Sequence, residues 1–328
     1  MKKSIQALYL AILSVLGIAA VALRTAGLLS GFDFASGYFS SKLINNVSVV
    51  IVVTAVVLFF TFLIYKKDYK PSVSIGAPRD YATSACVGVA LIIMAVEIAI
   101  SSVNAGAAQA TSSIANAVTS LAALLAAIAT LYFLFSVISG KGAPRASAVF
   151  SMALMLFFVF YALTLYFDAK TPINSPVKLC DQMAYIAFAV FFIYETRISL
   201  GRPIFRMYAV SGLTATLLSA YSAIPSLIVY FVRGEIISST VSESILTLSL
   251  FAFVLVRTVS ALSAEEDKEN EIVGLVKALH DARTNEIEDT RATRAQCNNN
   301  EENREEENDN YEIELPTENT EDGTERTN

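Results

Sequence analysis

The chain has 328 residues, 54% of them hydrophobic and only 16% charged, with a mean hydropathy of +0.53. A water-soluble domain carries about 25% charged residues, so composition excludes an aqueous surface for most of this chain. Charge is segregated as well: 17 Lys and Arg stand against 9 Asp and Glu up to Ser263, and 7 against 21 from Ala264 onward, an acidity that excludes nucleic acid as a partner.

A helix crosses the hydrocarbon core of a bilayer with roughly 20 apolar residues. Eight segments meet that requirement, near 5–28, 47–65, 82–103, 115–139, 147–167, 182–197, 207–232 and 242–262. The chain therefore reads as all-α, a polytopic transmembrane helix bundle of about eight spans occupying residues 1–263. The first span follows a basic start, and its apolar run is longer than a signal-peptide core, so it reads as a retained helix. The second, VSVVIVVTAVVLFFTFLIY, is rich in β-branched residues and would suit a strand in water. In lipid an open strand leaves its amides and carbonyls unpaired, which decides for a helix. The third and fourth spans are dense in Ala, Ser, Gly and Asn, and such small residues predict a closely packed hairpin at the bundle centre. Segments such as KPSVSIGAPRD, SGKGAPR and KTPINSPVK carry the Pro and Gly that end helices. The sixth span is the shortest, and the seventh contains Pro225, which predicts a kink. Beyond the eighth span, Ile272, Leu275, Val276 and Leu279 recur at helical spacing, which predicts a short cytoplasmic helix within 264–297. Residues 298–328 are rich in Asn and Glu and poor in apolar side chains, the composition of a disordered acidic tail.

Basic residues in the short loops set the orientation. With the amino terminus inside, eleven Lys and Arg, including Lys66, Lys67, Arg79 and Arg145, fall in the cytoplasm, and Lys42, Lys170, Lys178 and Arg233 fall outside. Both termini are then cytoplasmic in a cell (inner) membrane, and Tyr65, Tyr81, Tyr166, Tyr194, Tyr208 and Tyr230 supply the interfacial belt in a chain without Trp.

The segments SPVKLCDQ (175–182), ETRISLGR (195–202) and YSAIPSLIVY (221–230) resemble multi-pass proteins of clostridia-like bacteria that have no assigned activity. The resemblance covers about a fifth of the chain. It implies a bacterial inner-membrane setting and no chemistry.

Charged residues inside a span are costly and ask for a reason. Glu97 lies in the outer part of the third span and Arg24 near the outer end of the first, at depths that differ by roughly 6 Å at 1.5 Å per residue. We expect the two to pair, either as a structural salt bridge or as a substrate or ion site. Thr25, Ser101, Asn104, Asn116, Thr119, Ser120, Tyr161, Thr164, Tyr221, Ser222 and Pro225 reach the same depth and outline a candidate polar site, with interhelical hydrogen bonding as the plainer account. Arg257 reads as a side chain snorkelling to the cytoplasmic headgroups. Glu195, Arg197, Arg202 and Arg206 gather near the loop after the sixth span, as a basic cluster for anionic lipid or protein, or simply as the topology signal.

The chain has no GxxxxGK[ST], HExxH or GxSxG motif, and its three Cys and single His, His280, are scattered. No catalytic residue, cofactor or metal is expected. Asp168 and Asp181 flank one outer loop but are weak evidence for acid–base chemistry. YEIELP (311–316) in the tail alternates apolar and acidic residues, a pattern that a partner's sheet could take up as a strand. Two functions remain: a non-enzymatic sensor or scaffold engaging a cytoplasmic protein through residues 264–328, or a permease for a small solute using the polar site around Glu97.

Overall fold

The structure is a computed structural model that describes residues 3–34, 36–40, 42–64, 78–108, 113–139, 144–167, 172, 174–200, 204–235, 237 and 240–263. The helix and acidic tail expected beyond Ser263 lie outside the described residues.

Eight long helices are present among them: α1 (Lys3–Gly31), α2 (Lys42–Phe60, continued by a 3₁₀ turn at Thr61–Ile64), α3 (Pro78–Ala108), α4 (Ser113–Ser139), α5 (Pro144–Phe167), α6 (Pro176–Ser199), α7 (Phe205–Arg233) and α8 (Val241–Ser263). All eight are long and apolar enough to cross a membrane. The β-branched second span is helical, as the bilayer argument requires. Exposed apolar side chains recur every three or four residues, as at Val89, Ile92, Val96, Ile100 and Val103 on α3 and at Val149, Met152, Leu156, Val159 and Leu163 on α5. A whole helix face of that kind is stable only against hydrocarbon. The protein is a multi-pass membrane helix bundle.

Helices α3 to α8 pack each on the next, and α8 returns to α3, so the six form a closed ring. Helices α1 and α2 pack on each other and against α7. The ring is filled by aromatic side chains. Phe133 of α4 meets Phe253 of α8 at 5.3 Å between ring centroids, Phe158 of α5 stacks on Phe192 of α6 at 5.6 Å, and Phe192 stacks on Phe253 at 6.2 Å. The predicted α3–α4 hairpin forms but is not central. The buried share is 61% for the seventh span and 56% for the sixth, against 28% and 33% for the third and fourth. Small residues allow close approach without dictating which helices are enclosed.

Helix α7 is the most enclosed span, and small side chains make up much of its buried surface. Ser211, Gly212, Ala215, Thr216, Ser219, Ala220 and Ala223 are all buried. The hydroxyls of Ser211, Thr216 and Ser219 donate to carbonyls of their own helix at 2.7–3.0 Å, so they need no partner from a neighbour. A methyl group added to Gly212 would collide with the Thr258 hydroxyl and stand 3.2 Å from the Thr258 Cβ, which marks the close approach of α7 to α8. The helix runs on through Pro225 and ends at Gly234, whose φ of 71° supplies the left-handed cap.

Between α1 and α2 the chain makes a two-stranded hairpin, β1 (Phe32–Asp33) and β2 (Tyr38–Phe39), turning at Gly37 with φ 74°. Ser175 Oγ donates to the Gly37 carbonyl at 2.9 Å. Leu28, Phe32, Phe39, Val177, Val229 and Ile237 form a small apolar cluster beneath it. This hairpin marks one face of the bundle.

Candidate functional site

Two layers of buried polar and charged side chains lie inside the bundle, one toward the hairpin face and one toward the opposite face. In the hairpin-side layer α1 brings Arg24, which is 1% exposed. Its Nη1 donates to Cys180 Sγ of α6 at 3.0 Å, and its guanidinium carbon sits 4.5 Å from the centre of the Tyr221 ring of α7. The Tyr221 hydroxyl and Ser48 Oγ of α2 are hydrogen-bonded at 2.7 Å. Asp181, next to Cys180, accepts a hydrogen bond from Ser222 and acts electrostatically on Arg24. Lys178 of α6 and Glu243 of α8 are buried in the same end of the bundle, and Tyr185 of α6 and Thr247 of α8 share a hydrogen bond at 3.0 Å. Two cations, Arg24 and Lys178, and two carboxylates, Asp181 and Glu243, are thus buried toward this end of the bundle.

In the layer toward the opposite face, Arg257 of α8 donates to Glu195 of α6, and both are buried. Tyr132 of α4 donates to the same carboxylate oxygen at 3.1 Å, and Tyr208 of α7 lies within electrostatic reach of both charges. Ser151 of α5 and Thr196 of α6 are hydrogen-bonded at 2.7 Å one residue further along. Five helices of the ring therefore contribute to this layer.

The two layers repeat on the same helices. Asp181 and Glu195 on α6, Tyr208 and Ser222 on α7, and Glu243 and Arg257 on α8 are each separated by fourteen residues. At 1.5 Å per residue the layers are about 21 Å apart. The aromatic filling lies between them.

The structure corrects several expectations. Arg24 and Glu97 do not meet among the described residues. Helix α1 packs on α2 and α7, whereas α3 packs on α4 and α8, so a match in depth is not a match in azimuth. Glu97 is half-buried, and its Oε2 has no hydrogen-bond partner among the described residues. The predicted polar layer also divides. Tyr221, Ser222 and Pro225 are buried, with Tyr221 and Ser222 in the hairpin-side network, and Tyr161 packs against Tyr185 at 4.9 Å. Thr25, Thr119 and Thr164 bond to their own helices. Ser101, Asn104 and Ser120 are exposed, and Asn116 is half-buried. Arg257 does not snorkel, because Glu195, placed at a loop by the sequence reading, is turned inward to hold it. Tyr208 is buried rather than interfacial. Lys178 belongs to α6, which starts at Pro176 and not near 182, since proline is well suited to a first helical turn. Of the expected basic cluster, Arg197 is exposed, Arg206 donates to the Leu63 carbonyl at 2.6 Å, and Arg202 lies outside the described residues.

Missed by the sequence reading were Cys180, Asp181, Glu195 and Glu243 as interior groups. The fourteen-residue spacing of charges on the sixth and eighth helices was the signal available for them. Comparison with protein families, curated proteins and solved structures gives no match to this chain. Fold and site together define a class: a polytopic helix bundle with paired charge layers in its interior.

Proposed function

We propose that the chain is a non-enzymatic membrane sensor or scaffold of a bacterial cell membrane, with both termini in the cytoplasm and residues 264–328 as its partner-binding segment. The observation that carries this reading is the course of α8. It contributes Glu243 to one charge layer, Phe253 to the aromatic filling and Arg257 to the other layer, and the acidic segment begins seven residues later. A change at either layer is transmitted along one rigid helix to the segment that follows it. The aromatic filling supports the same reading, since it separates the two layers with side chains that offer an ion no ligand.

The two charge layers favour a second reading, a permease whose ends are gated by ion pairs. Proximity labelling in native membranes, with full-length protein and with a chain ending at Ser263, separates the two. Sensing or scaffolding predicts neighbours that are lost on truncation, together with vesicles no more permeable than empty ones. Neighbours unchanged by truncation, with saturable solute uptake abolished by Glu195→Gln, would establish the permease instead.

A further inference from the structure

We propose that the hairpin-side layer contains a binding site for a small monocarboxylate, held by the side edge of the Arg24 guanidinium. Among the described residues, Nη1 is the one nitrogen of Arg24 with a hydrogen-bond partner, the Cys180 thiol. Nε and Nη2 have none among the described residues, although the side chain is 1% exposed. Those two nitrogens form the edge that presents two parallel N–H groups, the geometry that receives both oxygens of one carboxylate. Inside a membrane no bulk water is at hand to satisfy them.

The surroundings fix the guanidinium and leave that edge without an acceptor among the described residues. The Tyr221 ring lies against its face, and the Tyr221 hydroxyl is tied to Ser48. Asp181, next to Cys180 in sequence, accepts from Ser222 and acts on Arg24 through its charge. Asp181 and Glu243 are buried in the same end of the bundle and repel each further negative charge, so the site takes a single charge at less cost than a phosphate or a polycarboxylate. One turn beyond Arg24, Leu28 enters the apolar cluster with Phe32 and Phe39 of the hairpin. The site serves a sensor and a permease equally, so its test is independent of the preceding reading.

Acetate is the minimal probe, with acetamide and chloride as controls for shape and ionic strength. Thermal unfolding of the full-length protein in detergent should show a saturable rise in midpoint with acetate and none with either control. Arg24→Lys keeps the charge but removes the fork and should abolish the saturable rise, whereas Arg197→Lys should retain it. Should Arg24→Lys fail to fold, broadening of the labelled acetate resonance by the wild-type protein decides. Relief of that broadening by excess formate, but not by formamide, supports the site. The proposal is overturned if acetate acts no differently from chloride, if Arg24→Lys responds as the wild type does, or if formamide relieves the broadening as well as formate.

Discussion

Glu195 and Arg257 hold each other away from water and lipid, and removing one partner leaves the other charged, buried and alone. That situation costs about 3–5 kcal/mol, whereas replacing both partners with apolar side chains of similar volume is close to neutral. Glu195→Gln and Arg257→Met are therefore each expected to lower the unfolding midpoint strongly, and Glu195→Met with Arg257→Met to recover most of the loss. A double mutant no more stable than the worse single mutant removes the pair from the account. Tyr132→Phe deletes one hydrogen bond to the same carboxylate and should cost about 1.5–3 kcal/mol in the same measurement. A cycle between Arg24 and Glu97 should give no coupling energy beyond error, because the two residues lie on helices that do not pack together. At this scale the sequence told which residues were anomalous, Arg24 and Glu97 within spans, but not their partners. Depth follows from counting along a helix at a fixed rise. The direction a side chain takes around the helix axis has meaning only once the neighbouring helices are known, and nothing local states them.

At the scale of the element, the helices and their order were legible because apolar length, terminal prolines and the bilayer's demand for internal hydrogen bonding all agree. The exceptions lie at ends. The start of α6 was placed too late because Lys178 and Asp181 lower the local hydropathy, yet both are buried in the structure. The centrality of α7 was also missed, since its Ser and Thr residues look like surface until their hydroxyls are seen to bond within the helix. Its contact with α8 rests on Gly212. Gly212→Ala should cost about 1–3 kcal/mol through overpacking against Thr258. Thr258→Ala in the same chain should restore part of that loss, because it removes the colliding hydroxyl and leaves the Cβ in place. Thermal unfolding of both variants checks this, and a fully tolerated Gly212→Ala would show that the helices can separate freely.

For the whole molecule, the packing of α1 on α2 and of α3 to α8 each on the next follows from short connections, whereas the closures α8 onto α3 and α1 onto α7 join segments far apart in sequence. No periodicity announces such closures. They depend on which apolar faces remain once near neighbours have paired. Since the ring, its filling and both charge layers, among the described residues, are built from positions up to Ser263, a chain ending there should extract as a monodisperse species with an unchanged unfolding midpoint. Size-exclusion chromatography in detergent with parallel melting tests this. A fall of several degrees would mean that the acidic segment contributes to folding rather than to recognition.

Fourteen residues of α-helix fall short of four whole turns by only about 40°. Paired groups on α6, α7 and α8 therefore leave each rod on nearly the same side at both ends. Were one of these rods to roll about its long axis, its two polar groups would swing the same way through equal angles. Loosening at one membrane surface would then be felt at the other with no bend, slide or melted segment in between, as a key turned at its bow moves the bit.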